Sequence, residues 1–203
     1  MKNSLFKKLA SIPTATIAAG QNDSGIIDPA IRPMWSPINL VGVAFTIESI
    51  SGDNSIVHQA ISEAPIGSVI VLNTKYHKEH ACVGDIIIRN CIKNELAGFV
   101  TNGVMRDLND CRNLGLPIYA TGVCMRGPIK GNDGGIILEK VLFGGVEIQN
   151  GDYIIGDDDG LVVVKHKNIK LILDRAYEKE KNEKEVIKRI NSGENTKDIF
   201  RLD

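Results

Sequence analysis

The chain has 203 residues, 24 basic and 25 acidic side chains, and a formal net charge of −1. This balance gives no overall basic field, so we expect neither nucleic acid nor an anionic membrane surface as a partner. The length suits one domain with a substantial hydrophobic core. No segment approaches the roughly 18 consecutive apolar residues of a membrane-spanning helix, and Lys7 and Lys8 interrupt the first apolar run, which argues against a signal peptide. We therefore predict a cytoplasmic protein.

The four cysteines form no C-x-x-C pair and lie in segments typical of a core or of element ends. They are Cys82, Cys91, Cys111 and Cys124. We predict buried free thiols in a reducing compartment.

Residues 1–39 are predicted to form a short helix and an irregular arm ahead of the core. Ser4 is placed to cap the helix, which has to end before Pro13. Residues 13–39 contain four prolines and two glycines, so regular structure is not expected there. Long loops of this kind often serve a function or pack on a neighbouring subunit. Trp35 is predicted to anchor the arm.

Residues 40–166 are predicted to be the core domain, which opens with alternating strands and helices. A strand is expected over 40–50, with its odd-numbered apolar residues facing the core. Asn54 is placed to cap the next helix. His58 lies beside the apolar stripe of that helix and is predicted to be a partly buried structural residue. The run over 67–72 is continuous and apolar, which is typical of a central strand covered on both faces.

The loop after that strand carries two histidines and a glutamate: His77, Glu79 and His80. Such a set could bind a metal ion, but no further histidine or cysteine stands at a ligand spacing. We favour a solvated loop, which could border the site.

From Ile136 onward the pattern changes to antiparallel strands joined by glycine-containing turns. Four strands are expected there, over 136–143, 146–148, 153–156 and 161–165. The acidic run over 157–159 lacks the spacing of an EF-hand loop, so we predict a turn and not a calcium site.

Residues 167–203 are predicted to be dominated by a helix over 168–190. Its first part can dock on the body, whereas residues 178–185 include no apolar side chain. Pairs such as Glu180 with Lys184 would steady the projecting half, each by about 0.3–0.5 kcal/mol. We predict that this helix contacts a neighbouring subunit.

The candidate site lies between Gly84 and Asp107. The pattern predicts a helix that begins at Asp85, a short buried strand over 99–101, and a turn that presents Arg106. A carboxylate or phosphate at the start of the helix would meet free backbone N–H groups and the positive end of the helix dipole. Taken alone, the pattern is also typical of a solvated surface turn.

Two side chains of the turn suit the same anion. Arg106 offers a planar fork of donors, and Asp107 is a hard oxygen ligand that could hold a divalent cation against the anion. Together with the helix start, they predict a site for a small anionic substrate and a metal ion.

Four motifs surround this stretch in a fixed order. They are NGVMRD at 102–107, LPIYA at 116–120, GPIKG at 127–131 and NGDYIIGDDDG at 150–160. This order resembles the RraA-like family and extends over roughly residues 36–165. The family contains the class II 4-hydroxy-4-methyl-2-oxoglutarate/4-carboxy-4-hydroxy-2-oxoadipate aldolases and the RraA regulators of RNase E.

The resemblance implies a fold and an activity. The fold is α/β, a swivelling β/β/α-type sandwich with an N-terminal arm and a long C-terminal helix, assembled as homotrimers or homohexamers. The activity is that of an aldolase that needs Mg²⁺ or Mn²⁺ and cleaves a 4-hydroxy-2-oxo acid to pyruvate through a metal-stabilised enolate. Oxaloacetate would lose CO₂ through the same enolate, so decarboxylase activity is expected as well.

The resemblance also implies roles for individual residues. Gly84, Ile86 and Ile87, at the helix start, match positions that bind the carboxylate of a small 2-oxo acid, together with Arg106. Arg106 also counts among the expected catalytic residues.

By the same resemblance, Asp107 matches the position that holds the metal, largely through water. Asp85 matches the acid/base that protonates the enolate. An acidic residue from a neighbouring subunit's C-terminal helix is expected to assist the metal, and four are available: Glu178, Glu180, Glu183 and Glu185.

Some positions depart from the family pattern, and they leave the subfamily and its substrate open. Asn102 and Ser68 stand where aspartate is common, and Asn150 stands where proline is common. Two alternatives therefore remain beside the aldolase. One is a regulator that binds a ribonuclease without turnover, and the other is a catalytically idle member. The N-terminal arm and the long C-terminal helix favour the aldolase group.

Overall fold

A computed structural model describes residues 2–129 and 134–202, so Lys130 and Gly131 of the third motif lie outside the described residues. Seven α-helices lie in these ranges: α1 (Lys2–Ala10), α2 (Thr14–Gly20), α3 (Ser55–Glu63), α4 (Asp85–Lys93), α5 (Leu108–Leu114), α6 (Ile169–Asn191) and α7 (Thr196–Phe200). A 3-10 turn at His166–Asn168 leads into α6.

Ten strands lie in the same ranges: β1 (Arg32–Pro33), β2 (Leu40–Ser49), β3 (Ser68–Asn73), β4 (Gly98–Thr101), β5 (Ile118–Ala120), β6 (Gly135–Ile137), β7 (Lys140–Phe143), β8 (Val146–Gln149), β9 (Tyr153–Gly156) and β10 (Leu161–Val164). Eight of them form one sheet in the order β1-β5-β4-β3-β2-β9-β10, with β6 also paired to β2. β7 and β8 form a separate hairpin.

The centre of the sheet is parallel because helices connect its strands. β2, β3, β4 and β5 run in the same direction, and α3, α4 and α5 lie between them in the chain. A parallel pair requires such a crossover, whereas the antiparallel strands β9 and β10 are joined by a tight turn. The predicted α/β class and the long C-terminal helix are confirmed.

Hydrophobic clusters cover both faces of the sheet. One face packs with α3, α4 and α5 around Ile61, Ile88 and Phe99. The other packs with the β7–β8 hairpin around Phe143 and Ile148. Both faces of the central strands are therefore buried, and all six residues of β3 are buried, which agrees with the prediction for the run over 67–72.

The expectation for β2 was wrong about which face is buried. The even-numbered residues from Leu40 to Thr46 are fully buried, while Val41, Val43 and Phe45 are only partly buried and pack on other clusters. A one-sided alternation does not describe this strand because both of its faces are covered.

The segment ahead of the core is more regular than predicted. Ser4 lies inside α1 and does not cap it, and residues 13–39 contain α2 and β1. Trp35 is partly buried between two hydrophobic clusters, as its predicted anchoring role requires. The expected strand over 136–143 is likewise two strands, because β6 joins β2 while β7 turns away to pair with β8.

The C-terminal helix docks by its first half only. Ile169, Ile172, Leu173 and Ala176 are buried, whereas residues 181–185 are exposed. The predicted pair is present, with 2.8 Å between Lys184 Nζ and Glu180 Oε1.

The acidic turn after β9 fastens the N-terminal segment to the body. Asp157 accepts a hydrogen bond from the Thr14 N–H at 2.9 Å and one from the Thr14 hydroxyl at 2.6 Å. Asp158 accepts one from the Ile38 N–H at 3.0 Å. The turn predicted over 157–159 therefore also supplies the N-terminal cap of α2 from a distant part of the chain.

We expect Asp157→Ala to lower the free energy of unfolding by about 2 kcal/mol, because hydrogen bonds to a charged group contribute about 1.5–3 kcal/mol. In a chain of this size that corresponds to a fall in Tm of about 4–8 °C, measurable by thermal unfolding. Asp159→Ala in the same turn is the control, since Asp159 is exposed and its removal should change stability by less than about 0.5 kcal/mol. Equal stability of the two variants would contradict this role of Asp157.

Candidate active site

The site lies at the carboxyl edge of the parallel strands. The loop after β3 leads to α4, and the loop after β4 leads through Arg106 and Asp107 to α5. The carboxyl ends of parallel strands are where open α/β sheets bind ligands. The sheet therefore brings two predicted parts of the site to one place.

The start of α4 is open to a ligand. Gly84 precedes the helix in an extended conformation, and no side chain of the described residues caps this end. The Gly84 carbonyl accepts the N–H of Ile88 at 3.1 Å, which leaves the first N–H groups of the helix outside its ladder. Asp85 is partly exposed in the first turn, 3.3 Å from Arg89 Nε.

The spacing of the apolar residues after Asp85 predicts that Ile86 and Ile92 face inward, and that prediction was wrong. Ile86 is 66% exposed and Ile92 is 40% exposed. The buried face of α4 consists of Ile87, Ile88 and Cys91. Ile86 therefore supplies its backbone and an exposed side chain at the edge of the site.

Arg106 and Asp107 form an ion pair in the turn before α5. Arg106 Nε lies 3.3 Å from Asp107 Oδ2, and the two side chains are 39% and 34% exposed. The Arg106 N–H is bonded to the Val83 carbonyl at 3.0 Å. Asp107 adopts left-handed geometry with φ +56°, which costs a non-glycine residue energy and is often found at functional sites.

Two glycines leave the space in which the Arg106 side chain lies. A Cβ at Gly84 would come within 2.5 Å of Asp107 Oδ2 and 3.1 Å of Arg106 Cγ. A Cβ at Gly127 would come within 2.7 Å of Arg106 Nη1. In the sequence, Gly127 stands out only as part of the GPIKG motif at 127–131, so its contact with Arg106 was missed.

Buried amides support the turn from below. Asn102 accepts hydrogen bonds from the Thr74 N–H at 2.7 Å and the Thr74 hydroxyl at 3.1 Å, and its amide donates to Asn73 Oδ1 at 2.7 Å. An ionised aspartate at position 102 could not donate that last bond. Asn102 stands where the family commonly has aspartate, and its hydrogen bond to Asn73 uses the donor that only the asparagine supplies.

These groups surround a single cleft of about 320 Å³. Its lining residues are Asn54, His58, Ala81, Cys82, Val83, Gly84, Asp85, Ile86, Ile87, Arg106, Asp107, Gly127 and Pro128. All six predicted site residues are thus brought together, while their individual roles stay predictions. A volume near 300 Å³ is at the lower end of small-molecule sites, which suits a small substrate.

His58 was predicted to be a partly buried structural residue, and this was wrong. It is exposed and lines the cleft together with Asn54. The predicted cap at Asn54 was also wrong, because the neighbouring Asp53 accepts the Ser55 N–H at 2.6 Å through Oδ1.

The Cys82 thiol in the cleft wall does not suit metal binding or nucleophilic chemistry. Burial, with a smaller contribution from the charge of Asp53, raises the pKa of Cys82 to about 11. It therefore stays protonated at neutral pH, whereas the thiolate is the reactive form. Cys82, Cys91 and Cys111 are buried free thiols as predicted, and Cys124 is partly exposed.

The donor set fits Mg²⁺ or Mn²⁺ better than Zn²⁺. Zn²⁺ needs three or four protein ligands, and no cluster of three histidine, cysteine or acidic side chains occurs among the described residues. Mg²⁺ needs only one or two carboxylates, because it keeps several waters and takes further oxygens from the substrate. Asp107 meets that requirement as a partly exposed carboxylate in the cleft.

His77 and His80, in the loop after β3, pair with each other. Their rings are stacked with centroids 5.3 Å apart, and His77 Nε2 lies 3.1 Å from His80 Nδ1.

A family model described as RraA-like, Aldolase/RraA, matches residues 14–163 of the chain. The chain belongs to the RraA-like family. A relative from Halalkalibacterium halodurans, provisionally named as a 4-hydroxy-4-methyl-2-oxoglutarate aldolase, is 32% identical over 170 residues, which is 84% of this chain and 80% of the relative.

Two solved structures share the fold of this RraA-like chain. An uncharacterised protein from Pseudomonas syringae superposes with a TM-score of 0.81 at 26% identity, over 95% of this chain and 94% of the other. RraAS2 from Streptomyces coelicolor, described as an unusual member of the RNase ES inhibitor RraA family, superposes with a TM-score of 0.79 at 26% identity, over 89% and 94%.

No helix in the described ranges is both long enough and apolar enough to cross a membrane.

Proposed function

We propose that this protein is a divalent-metal-dependent lyase that cleaves a 4-hydroxy-2-oxo acid to pyruvate and also decarboxylates oxaloacetate. The observation that carries the proposal is the convergence of an uncapped helix start, one arginine and one carboxylate in a cleft of about 320 Å³. The name of the Halalkalibacterium relative supports the same activity.

The carboxylate of the substrate would bind between α4 and Arg106. The N–H groups of Ile86 and Ile87 supply one side, beside the positive end of the helix dipole. The Arg106 guanidinium supplies the other side and, because it is planar, can fix the carboxylate in one orientation. Gly84 leaves the space between them. Bound in this way, the substrate would have its 2-oxo group next to Asp107.

Asp107 would hold the metal with its carboxylate. When bound, the metal supplies a Lewis acid to the 2-oxo group. Arg106 Nε, 3.3 Å from Asp107 Oδ2, would help to orient that carboxylate.

Asp85 is the proposed acid/base. As a carboxylate it accepts the proton of the C4 hydroxyl, directly or through water, while the C3–C4 bond breaks and its electron pair moves into the pyruvyl fragment. The same group then returns the proton to C3 and pyruvate is released. Its partial exposure leaves access for a water on this path.

We also propose that the protein assembles as a homotrimer or homohexamer in which α6 of one subunit reaches the site of a neighbouring subunit. Residues 178–185 supply four glutamates (Glu178, Glu180, Glu183 and Glu185) on the half of α6 that projects. One of these glutamates, contributed by a partner subunit, would add negative charge near the water molecules bound to the metal.

We expect pyruvate release from 4-hydroxy-4-methyl-2-oxoglutarate and from oxaloacetate in the presence of Mg²⁺ or Mn²⁺, and at least a 100-fold loss of rate in excess EDTA. Restoring Mg²⁺ should restore the rate, and Asp107→Asn should raise the concentration of Mg²⁺ needed for half-maximal rate. A coupled assay for pyruvate measures all of these. Full activity in excess chelator would contradict the metal-dependent mechanism. No release from either substrate by the folded protein would instead favour the ribonuclease regulator.

A further inference from the structure

Three polar side chains stand in a row at the carboxyl ends of the central parallel strands. Glu48 is the next-to-last residue of β2, Asn73 is the last residue of β3, and Asn102 follows β4 directly. Glu48 and Asn73 are register partners in the sheet. The two asparagines are buried, whereas the Glu48 side chain is partly exposed. Glu48 does not line the cleft and has no part in the mechanism above.

Hydrogen bonds join the row in one direction. Asn102 Nδ2 donates to Asn73 Oδ1 at 2.7 Å, and Asn73 Nδ2 donates to Glu48 Oε2 at 3.1 Å. The other oxygen of Glu48 lies 2.9 Å from Lys75 Nζ. Because an ionised carboxylate only accepts hydrogen bonds, Glu48 requires the NH₂ group of Asn73 to point toward it.

The backbone of the loop after β3 requires the same orientation of both amides. Asn73 Oδ1 also accepts the Lys75 N–H at 2.9 Å, and Asn102 Oδ1 accepts the Thr74 N–H at 2.7 Å. Turning either amide by 180° would place an NH₂ group against a backbone donor and leave buried polar groups unpaired. Glu48, by accepting from Asn73, therefore stabilises the orientation of the whole row.

This row holds a strained turn at residues 74–77. Lys75 and Tyr76 have φ +55° and +59°, and the His77 N–H bonds to the Thr74 carbonyl at 3.2 Å. Turns with two left-handed central residues favour asparagine and glycine, and other residues in that geometry cost energy. The turn therefore depends on the amide row for part of its stability.

Thr74 connects the row to the turn before α5. A Cβ at Gly103 would lie 2.6 Å from Thr74 Oγ1, so Thr74 packs directly on Gly103, three residues before Arg106. On its other side, the Gly103 carbonyl accepts the Thr121 N–H at 2.9 Å and the Thr121 hydroxyl at 2.7 Å. A shift of Thr74 would therefore displace the segment that ends in Arg106 and Asp107.

We propose that Glu48 is a positioning residue for the cleft. By accepting the Asn73 amide it holds both amides in one orientation, and through Thr74 it keeps the ion pair of the cleft in place. The inference rests on the proposed function for the role of that ion pair in turnover. Since a displacement of about 1 Å can cost about 100-fold in rate, a residue that does not contact the substrate is expected to affect kcat/KM.

Glu48→Leu is expected to lower kcat/KM for pyruvate release by about tenfold, because the Asn73 amide loses its acceptor. Glu48→Gln keeps an acceptor in its side-chain carbonyl and should stay within about threefold of the wild-type protein. Glu147→Leu is the matched control. It removes an exposed glutamate–lysine pair, 3.3 Å from Lys140 Nζ, in the separate β7–β8 hairpin, and should leave kcat/KM unchanged. Thermal unfolding checks that each variant is folded.

Reversing the direction of the Glu48–Asn73 hydrogen bond provides a stricter test. Asn73→Asp alone sets a second carboxylate against Glu48 and should lower kcat/KM by about 30-fold through repulsion. When it is combined with Glu48→Gln, the new glutamine can donate to the new aspartate, which still accepts from Asn102 and from the Lys75 N–H. The double variant is expected to recover to within about fivefold of the wild-type kcat/KM, whereas independent structural effects of the two substitutions would add.

Hydrogen exchange supplies a readout that needs no turnover. The Arg106 N–H is bonded to the Val83 carbonyl at 3.0 Å, and the peptide over 102–107 should exchange at least about fivefold faster in Glu48→Leu than in the wild-type protein. The double variant should restore slow exchange. Hydrogen–deuterium exchange mass spectrometry measures this, with the peptide over β9 and β10 as the internal reference.

Wild-type kcat/KM together with wild-type exchange in Glu48→Leu would overturn the positioning role, as would a double variant no more active than Asn73→Asp. Faster exchange without a loss of kcat/KM, or the reverse, would overturn it as well. If the wild-type protein released no pyruvate from its proposed substrates, the lyase proposal would fail. The exchange rates of Glu48→Leu, Asn73→Asp and the double variant would then decide the positioning role by themselves.

Discussion

Arg106→Ala is expected to lower kcat/KM for pyruvate release by about 10³-fold, equivalent to about 4 kcal/mol of transition-state stabilisation. Arg106 is the one lining side chain of the described cleft with a permanent positive charge, and it is held beside Asp107 at 3.3 Å. Its loss removes the fork that orients the substrate carboxylate and leaves Asp107 without its ion-pair partner.

Arg106→Lys should give a kcat/KM between those of the wild-type protein and Arg106→Ala. The expected loss of kcat/KM is about 10–100-fold, because lysine keeps the charge but cannot form the planar two-point contact. Arg112→Ala is the control. Arg112 is exposed on α5, six residues away, and its removal should leave kcat/KM unchanged. Steady-state kinetics measures kcat/KM for the three variants, and circular dichroism checks that each is folded. Near wild-type kcat/KM in Arg106→Ala would remove Arg106 from the site.

Gly84→Ala is expected to lower kcat/KM by about 10²-fold while leaving the fold intact. The φ of Gly84 is −158°, which alanine adopts without strain. The added Cβ would nevertheless lie 2.5 Å from Asp107 Oδ2 and 3.1 Å from Arg106 Cγ. Since a displacement of about 1 Å can cost 100-fold in rate, the effect should appear in activity and not in Tm.

Gly67→Ala provides the opposite pattern as a control. Gly67 has φ +77°, and a Cβ added there would meet no atom within 4 Å. Alanine at this position should lower the free energy of unfolding by about 1 kcal/mol or more through backbone strain and leave kcat/KM unchanged. A Gly84→Ala variant with a lower Tm but wild-type kcat/KM would contradict a role in catalysis for the close packing of Gly84 against Arg106 and Asp107.

The sequence predicted the parts of the site that are close together in the chain. The start of α4 follows from a glycine and an aspartate ahead of an apolar stripe, and the turn at Arg106 and Asp107 directly precedes α5. Because each piece is local, its position can be inferred from spacing. Their meeting in one cleft depends on the parallel order of β3 and β4, which the βα alternation also indicates.

The sequence could not predict contacts between distant segments. Helical spacing shows that His58 lies beside an apolar stripe, but only the packed fold shows that this side of α3 faces the cleft. Gly127 contacts Arg106 from well beyond the next helix and strand, and Asp157 caps Thr14 from a position 143 residues away. Neither contact has a local signal. The faces of β2 were misassigned for the same reason, since its cover on both sides comes from elements far along the chain.

The exchange of the methyl protons of pyruvate for deuterium tests the central claim most directly, because it requires only the proposed carboxylate site between α4 and Arg106 and a base at C3. In D₂O with Mg²⁺, proton NMR is expected to show loss of the methyl signal with the wild-type protein at least 100-fold faster than with Arg106→Ala or in excess EDTA. Exchange no faster than in buffer, in the presence of a folded wild-type protein, would contradict the assignment of this cleft as a site for enolate chemistry.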